Sequence, residues 1–427
     1  MVFLVLCTFG FAQGGAFAVA AFSAVTYFEI ATQWTGQTLS LIKIAGAALI
    51  IVTVVALVTR PADRTATLSV RAPAWVYRPW LVLWLVLFVA VATASAAWSV
   101  NLGQWGSHIQ RLATDAIVFL AVPVLITRPE QIRRIGWTLL AAATTSVVYG
   151  AIAGTNLAER SIGTFLDPNE FAAALIPAMA LGLMVSESSV ESWQRWVGRC
   201  CGLVCMWGLL GTESRGGVVS LLVALVVVAA TARGKERIRI MMLGVAGTAA
   251  LVLVLTLTPA GTSLMGRITG EDSSGRADLW KVAVYEFRDN PIAGVGLGQY
   301  PERSREYLRA DVRNIQLFIS NQRTTHSSAL EILAELGMIG FFSATLFIVC
   351  VMWGLVRSLR QARGLSPGRA RELVPVGRGI LVALAAMLAS CTFLSGQYQE
   401  LLWVLMGLAV AHGAMVHAAL PHTPRQR

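Results

Sequence analysis

Residues 79–99 read PWLVLWLVLFVAVATASAAWS, an unbroken run with no charged side chain. About 20 predominantly apolar residues in a helix cross the hydrocarbon core of a bilayer. Only a helix or a closed barrel satisfies its own backbone there. The stretch is too long for a strand and reads as a membrane span. The rest of the chain agrees. Its 427 residues are 56% hydrophobic and 13% charged, with mean hydropathy +0.65, whereas a soluble domain carries about a quarter charged residues. Working outward on the same criterion gives spans near 1–31, 38–58, 79–99, 112–127, 135–154, 169–186, 195–211, 216–232, 238–258, 327–356, 377–395 and 399–418. The expected fold class is all-α, a polytopic transmembrane helical bundle of about 12 spans. The first span is long, with a possible break at Gln13-Gly14-Gly15, and the fourth is short enough to be tilted or partly buried. No Lys or Arg precedes Lys43, so Met1–Ala31 lacks the basic region of a cleaved signal peptide and reads as a retained span. No sequence repeat recurs at a fixed period.

The net charge of +11 suggests nucleic acid until its placement is followed. One set of alternate loops holds 21 basic residues: Arg60, Arg64, Arg71 and Arg78; Arg128, Arg133 and Arg134; Arg195 and Arg199; Arg233, Lys235, Arg237 and Arg239; Arg357, Arg360, Arg363, Arg369, Arg371 and Arg378; Arg425 and Arg427. The short loops of the other set hold only Arg111, Arg160 and Arg215. Cytoplasmic loops are the basic ones, so the excess charge is a topology signal and no nucleic-acid partner is implied. The cysteines, Cys7, Cys200, Cys201, Cys205, Cys350 and Cys391, all lie in apolar runs and form no C-x-x-C, which reads as packing.

Residues 259–326 depart from the pattern. They are long, polar and extracytoplasmic, with nine basic and eight acidic residues. Long translocated segments escape the charge rule, and a loop this long with no role is uncommon. Leu279, Trp280, Ala283, Val284 and Phe287 recur at helical spacing within Arg276–Arg288, and Asn290-Pro291 stops the pattern. The expected organisation is a bundle of spans one to nine (1–258), an extracytoplasmic loop with short amphipathic helices (259–326), and spans ten to twelve with a cytoplasmic tail (327–427).

Few residues there carry chemistry. Arg215 is pinched between two apolar spans, where a guanidinium is costly and usually partnered. It could hold an anionic headgroup, with Gly216 and Gly217 letting backbone amides approach a phosphate, or it could pair with Glu213 or snorkel to the interface. Arg276 and Arg288 bracket the loop helix and could equally be solvated ends. Trp280 alone reads as packing or an interface anchor. His326, at the junction with span ten, could take a proton from an attacking hydroxyl or simply bond to backbone. Glu331 and Glu335 share a helix face and read as helix-locking groups. His412, His417 and His422 read as bland, and His108 has no supporting motif. Gly294, Gly296 and Gly298 follow a helix and a proline, not a strand, so a dinucleotide loop is not indicated. No Asp-x-Asp or His-x-x-x-His occurs, so no dedicated metal site is expected.

Four elements in order are RSIGTFLDPN (160–169), SRGG (214–217), GRADLW (275–280) followed by NPIAGVGLG (290–298), and HS (326–327) followed after nine residues by GMIG (337–340). Together they resemble the O-antigen ligase and polymerase superfamily of bacterial envelope enzymes, by motif over 155–345 and by hydropathy over the whole chain. The last element looks like the ligase branch, although polymerases share parts of it. The resemblance implies a GT-C-like membrane glycosyltransferase of the inner membrane, metal-independent, inverting and without cofactor. It would move a glycan from undecaprenyl diphosphate to lipid A–core on the periplasmic face. It also implies that Arg215 and Arg276 hold the diphosphate and that His326 acts as general base or diphosphate ligand. Arg160, Asn169, Arg288 and Trp280 would be the residues that meet the substrate sugars. All of this requires Arg215, Arg276 and His326 to converge in one outward-opening cavity. A polymerase is the competing reading. A twelve-span transporter fits less well, because the spans contain few acids and the polar candidates gather at one face.

Overall fold

The computed structural model describes residues 15–28, 41–59, 79–157, 160–232, 234, 237, 238, 242, 275–316, 318 and 324–420. Thirteen α-helices lie among them: α1 (Gly15–Val25), α2 (Leu41–Thr59), α3 (Pro79–Ala94), α4 (Leu102–Leu125), α5 (Pro129–Ala153), α6 (Pro168–Glu187), α7 (Ser192–Gly211), α8 (Arg215–Thr231), α9 (Arg276–Asp289), α10 (Tyr300–Arg303), α11 (Ser328–Ala362), α12 (Pro367–Ser390) and α13 (Glu400–Ala419). Seven of them, α3 to α6 and α11 to α13, are long and apolar enough to cross a membrane, and shorter apolar helices fall in α1, α2 and α8. The chain is a polytopic helical membrane protein. A two-residue antiparallel pair, β1 (Asn156–Leu157) with β2 (Arg160–Ser161), is a small addition to the all-α expectation. The expected span at 238–258 falls almost entirely outside the described residues.

The middle of the bundle is α6, α12 and α13, and every residue from Leu401 to Gly413 is buried. In lipid the gain from helix association comes from close packing rather than from expelling water, so small residues mark the contacts. Ala172, Ala173, Ala174 and Ala178 of α6 are buried, and Gly379 of α12 faces Leu181 and Met184 of α6.

Two helices differ from the hydropathy reading. The fourth span was expected from residue 112, but α4 starts at Leu102, where the Asn101 side chain accepts the Gln104 amide at 3.1 Å. The exposed first turns of α4 are polar enough to hide the start from an apolar window. The span expected over 377–395 ends as a helix at Ser390, and residues 391–399 form turns.

α11 runs for 35 residues but breaks at Gly337, whose φ of 62° and ψ of −163° suit only glycine. The break frees backbone groups that residues 290–298 take up. Pro291 O accepts the Met338 amide at 2.9 Å, while Ala334 O and Glu335 O accept the Val295 and Gly296 amides at 3.0 and 2.8 Å. The glycine-rich run is therefore spliced into α11, and a Cβ on Gly294 would overlap the Glu335 carbonyl.

The two ends of the bundle differ in charge. The turns joining α4 to α5, α6 to α7 and α11 to α12 bring Arg128, Arg133, Arg195, Arg199, Arg363 and Arg369 to one end, where Arg363 donates to Thr231 O at 2.7 Å. The first turns of α6, α8 and α11 lie at the other end, together with the loop helix α9.

Candidate functional site

At that second end, the segment resembling the first motif builds a tight knot. Asp167 caps α6 by accepting the Asn169 and Glu170 amides at 2.7 and 3.2 Å, and Pro168 opens the helix, where its missing N–H costs nothing. This turns the Asn169 side chain toward α8. Its Oδ1 accepts from Arg160 at 3.1 Å and from the Ser214 hydroxyl at 2.9 Å. Arg160, 9% exposed, also donates through Nε to Thr212 O at 2.7 Å. Arg160 thus braces the hairpin that carries Arg215, a contribution that its motif position did not reveal.

Ser214 caps α8 by accepting the Gly217 amide at 3.2 Å, and Glu213 turns the chain with a positive φ of 47°. Arg215 is the first residue of the helix and is half-buried. Among the described residues it makes no hydrogen bond or ion pair, so the Glu213 pairing left open by the sequence is not formed. Its guanidinium remains available to a ligand anion.

His326 sits in a turn of its own. Its φ is +51°, a left-handed backbone unusual for a residue with a Cβ. The buried Thr325 hydroxyl folds over it, meeting Ser327 O at 2.8 Å and the Ser327 amide at 3.1 Å. Glu331, one turn into α11 and buried, accepts from Thr325 Oγ1 at 3.2 Å, from Gln397 Nε2 at 2.6 Å and from the Ser395 hydroxyl.

Three contacts bring the motifs to this place. Trp280 of α9 donates from Nε1 to Thr325 O at 3.1 Å. That sets the first turn of α9, with the half-buried Arg276, about 6 Å along the helix axis from that bond. Ser328 gives its amide to Leu394 O at 3.0 Å and its hydroxyl to the same oxygen at 2.9 Å. Next to Leu394, Phe393 packs so closely on α8 that a Cβ on Gly216 would come within 3.2 Å of it. Gly216, next to Arg215, and Ser328, two residues after His326, thus meet two consecutive residues of this turn. Asn169, Ser214, Gly216, Gly217, Ser390, Phe393 and Leu394 line a crevice there, too tight to hold a water molecule.

The other expected residues divide. Trp280 spends its polar atom on the His326 turn. Arg288 is exposed at the far end of α9, about 18 Å along the helix from Arg276, and does not join the cluster. Glu335 accepts the Gly298 and Tyr300 amides at 2.8 and 3.2 Å and locks the splice. His412 is satisfied by Ser358 and Leu373 O. The 391–399 turn was missed by the sequence reading, because it looks like the end of one span and the start of the next. Three acids of the spans, Asp115, Glu331 and Glu335, are buried within helices.

Electrostatics outside the spans centre on α9. Burial alone would raise the Asp278 carboxyl, but the Asn314 amide and Lys281 outweigh it and hold it below the usual range. Glu286, fully buried with neither oxygen hydrogen-bonded, is pushed well above its usual range by burial and then by the charge of Glu335.

The chain is thus a polytopic helical membrane protein whose Arg215 hairpin, His326 turn and α9 lie at one end of the bundle. The particular family comes from sequence: residues 200–345, about a third of the chain, match the family model described as O-antigen ligase, so this stretch carries an O-antigen ligase domain. That family comprises the O-antigen ligase and polymerase type of membrane glycosyltransferase. The matched stretch includes Arg215, Arg276, Trp280, Arg288 and His326 but not Arg160 or Asn169. No curated protein matches the chain.

Proposed function

We propose that the protein transfers a glycan from undecaprenyl diphosphate to a lipid A–core acceptor on the periplasmic face of the inner membrane. The observation that supports this reading is that Gly216, beside Arg215, and Ser328, two residues after His326, both pack on the Phe393–Leu394 turn from helices far apart in sequence. In this reading the chain has twelve spans, the Arg-rich end is cytoplasmic, and 259–326 is a periplasmic loop between a nine-span and a three-span unit.

The chemistry asked of these residues is modest. A diphosphate diester carries about two negative charges, and guanidinium groups bind phosphate oxygens through paired N–H donors while staying charged. Arg215, which has no hydrogen-bond or ion-pair partner among the described residues, and Arg276 hold the diphosphate. The acceptor oxygen attacks the anomeric carbon from the side opposite the diphosphate. The new C–O bond forms as the old one breaks, the configuration inverts, and the acceptor proton passes to His326. The leaving group gains one negative charge, which the two arginines stabilise, a role worth about 10²–10³ in rate for a single well-placed donor. Binding of the diphosphate by His326 instead of proton removal is the alternative within the same site.

The test is the glycolipid profile of a deletion strain complemented with wild type, Arg215→Ala or His326→Ala. The expected result is long chains retained on the undecaprenyl carrier and none on lipid A–core, restored by wild type and by neither variant, although both proteins accumulate. A single repeat unit on core would assign a polymerase. Normal capped lipopolysaccharide from either variant would remove the mechanism.

A further inference from the structure

We infer that Glu331 is a positioning residue for His326, acting through the Thr325 hydroxyl and by hydrogen bonding rather than by charge. This deepens the proposed transfer reaction and rests on the role given there to His326.

The argument starts from the backbone of His326. A left-handed φ at a residue with a Cβ does not persist unless the surroundings over-determine it. The two flanking residues supply that constraint. Thr325 is fully buried, and its hydroxyl touches both the carbonyl and the amide of Ser327, bridging the chain across His326. Its carbonyl is held by Trp280. A hydroxyl carries one proton, and that of Thr325 has two acceptors within reach, Ser327 O at 2.8 Å and Glu331 Oε2 at 3.2 Å, while the Ser327 amide donates to its oxygen. Glu331 is held in turn by the Ser395 hydroxyl and by Gln397. The Glu331 amide also donates to Ser327 O at 2.9 Å, so one residue grips the turn by side chain and backbone together. The bridge thus links Thr325, the residue before His326, through Glu331 of α11 to the Ser395–Gln397 turn.

Charge is not what this geometry needs. Thr325 and Ser395 require an oxygen acceptor, which a glutamine also offers. Gln397 Oε1 is buried without a hydrogen-bond partner, so turning the Gln397 amide over would let it accept from a glutamine at 331. A leucine there would fill the same space and accept nothing.

The experiment uses the purified full-length protein, donor glycolipid extracted from the deletion strain, and both lipid A–core and lipid-linked glycan as acceptors. Single-turnover reactions give a rate constant and an amplitude. A misplaced imidazole slows the rate constant at full amplitude, whereas a fraction of misfolded protein lowers the amplitude only. Thr325→Val and Glu331→Leu are each expected to slow the step about 10- to 100-fold, part of the 10²–10⁴ that a general base contributes. Glu331→Gln is expected to recover most of what Glu331→Leu loses. Unchanged rate constants in Thr325→Val and Glu331→Leu overturn the inference, and Thr325→Val alone decides if the leucine variant does not accumulate. Equal slowing by Gln and Leu also overturns it, because charge would then be the agent. Wild-type rates in His326→Ala would instead remove the reaction mechanism itself.

Discussion

Arg215 and Arg276 open two helices at the same end of the bundle, yet they answer to a substitution differently. Arg215 leads α8 in a hairpin whose Ser214, Thr212 and Arg160 contacts are made by other residues, so removing its side chain leaves the scaffold intact. Arg276 leads α9 behind Gly275, whose φ of 67° sets the direction of entry. Changing Arg276 to Lys keeps a positive charge near the His326 turn but replaces a planar fork with a point charge, which cannot hold two phosphate oxygens at once. The expected outcome is a fall in transfer of about tenfold or more. Full activity in the lysine variant would mean that Arg276 supplies only bulk charge. Much of this residue layer was legible beforehand. An arginine between two apolar spans is costly enough to announce itself. Glu331 and the Ser395–Gln397 turn were not legible in the same way, because their roles rest on contacts more than 60 residues apart in sequence.

At the scale of elements, α9 shows what periodicity can and cannot supply. Apolar spacing placed its start at Arg276 and its stop at Asn290, which matches the helix. Of the five apolar positions, Leu279 and Ala283 are buried while Trp280, Val284 and Phe287 are only partly so, and Asp278, Val282 and Glu286 complete the buried face. The Asp278 carboxylate meets Lys281 of its own helix and the amides of Arg313 and Asn314, which tertiary structure brings to it. Glu286 has no such partners. Around it stand Glu331 and Glu335 of α11, Tyr300 and Arg303 of α10, and Glu306. Its folded pKa is raised, so its contribution is complete below the unfolded value of about 4.3 and is lost as pH climbs toward the folded value. Glu286→Gln stays neutral throughout. The variant is expected to melt above wild type in detergent, with a margin that grows from about pH 5 to about pH 8. A margin independent of pH, or one that shrinks as pH rises, would mean that Glu286 is already ionised against α11.

On the scale of the whole molecule, the arginine-rich turns and the Arg215 hairpin lie at opposite ends, and in the proposed reading that separation sets which compartment the site faces. The arginines of the α4–α5, α6–α7 and α11–α12 turns cost least where basic loops remain during insertion, on the cytoplasmic side. The Arg215 hairpin, the His326 turn and α9 then face outward, where a lipid-linked glycan would meet them. Two exposed positions test this without disturbing the site. Gly368 lies at the start of α12 with open space where a side chain would grow, and Ala310 is exposed in the stretch that packs on α9. A membrane-impermeant maleimide applied to cells with a permeabilised outer membrane is expected to label Ala310→Cys at once. Gly368→Cys should react only after the inner membrane is broken, with the parent chain as the blank for its own cysteines. Labelling in the reverse order would put the gathered arginines and histidine in the cytoplasm. A periplasmic transfer reaction could not then use them, however well the residues converge.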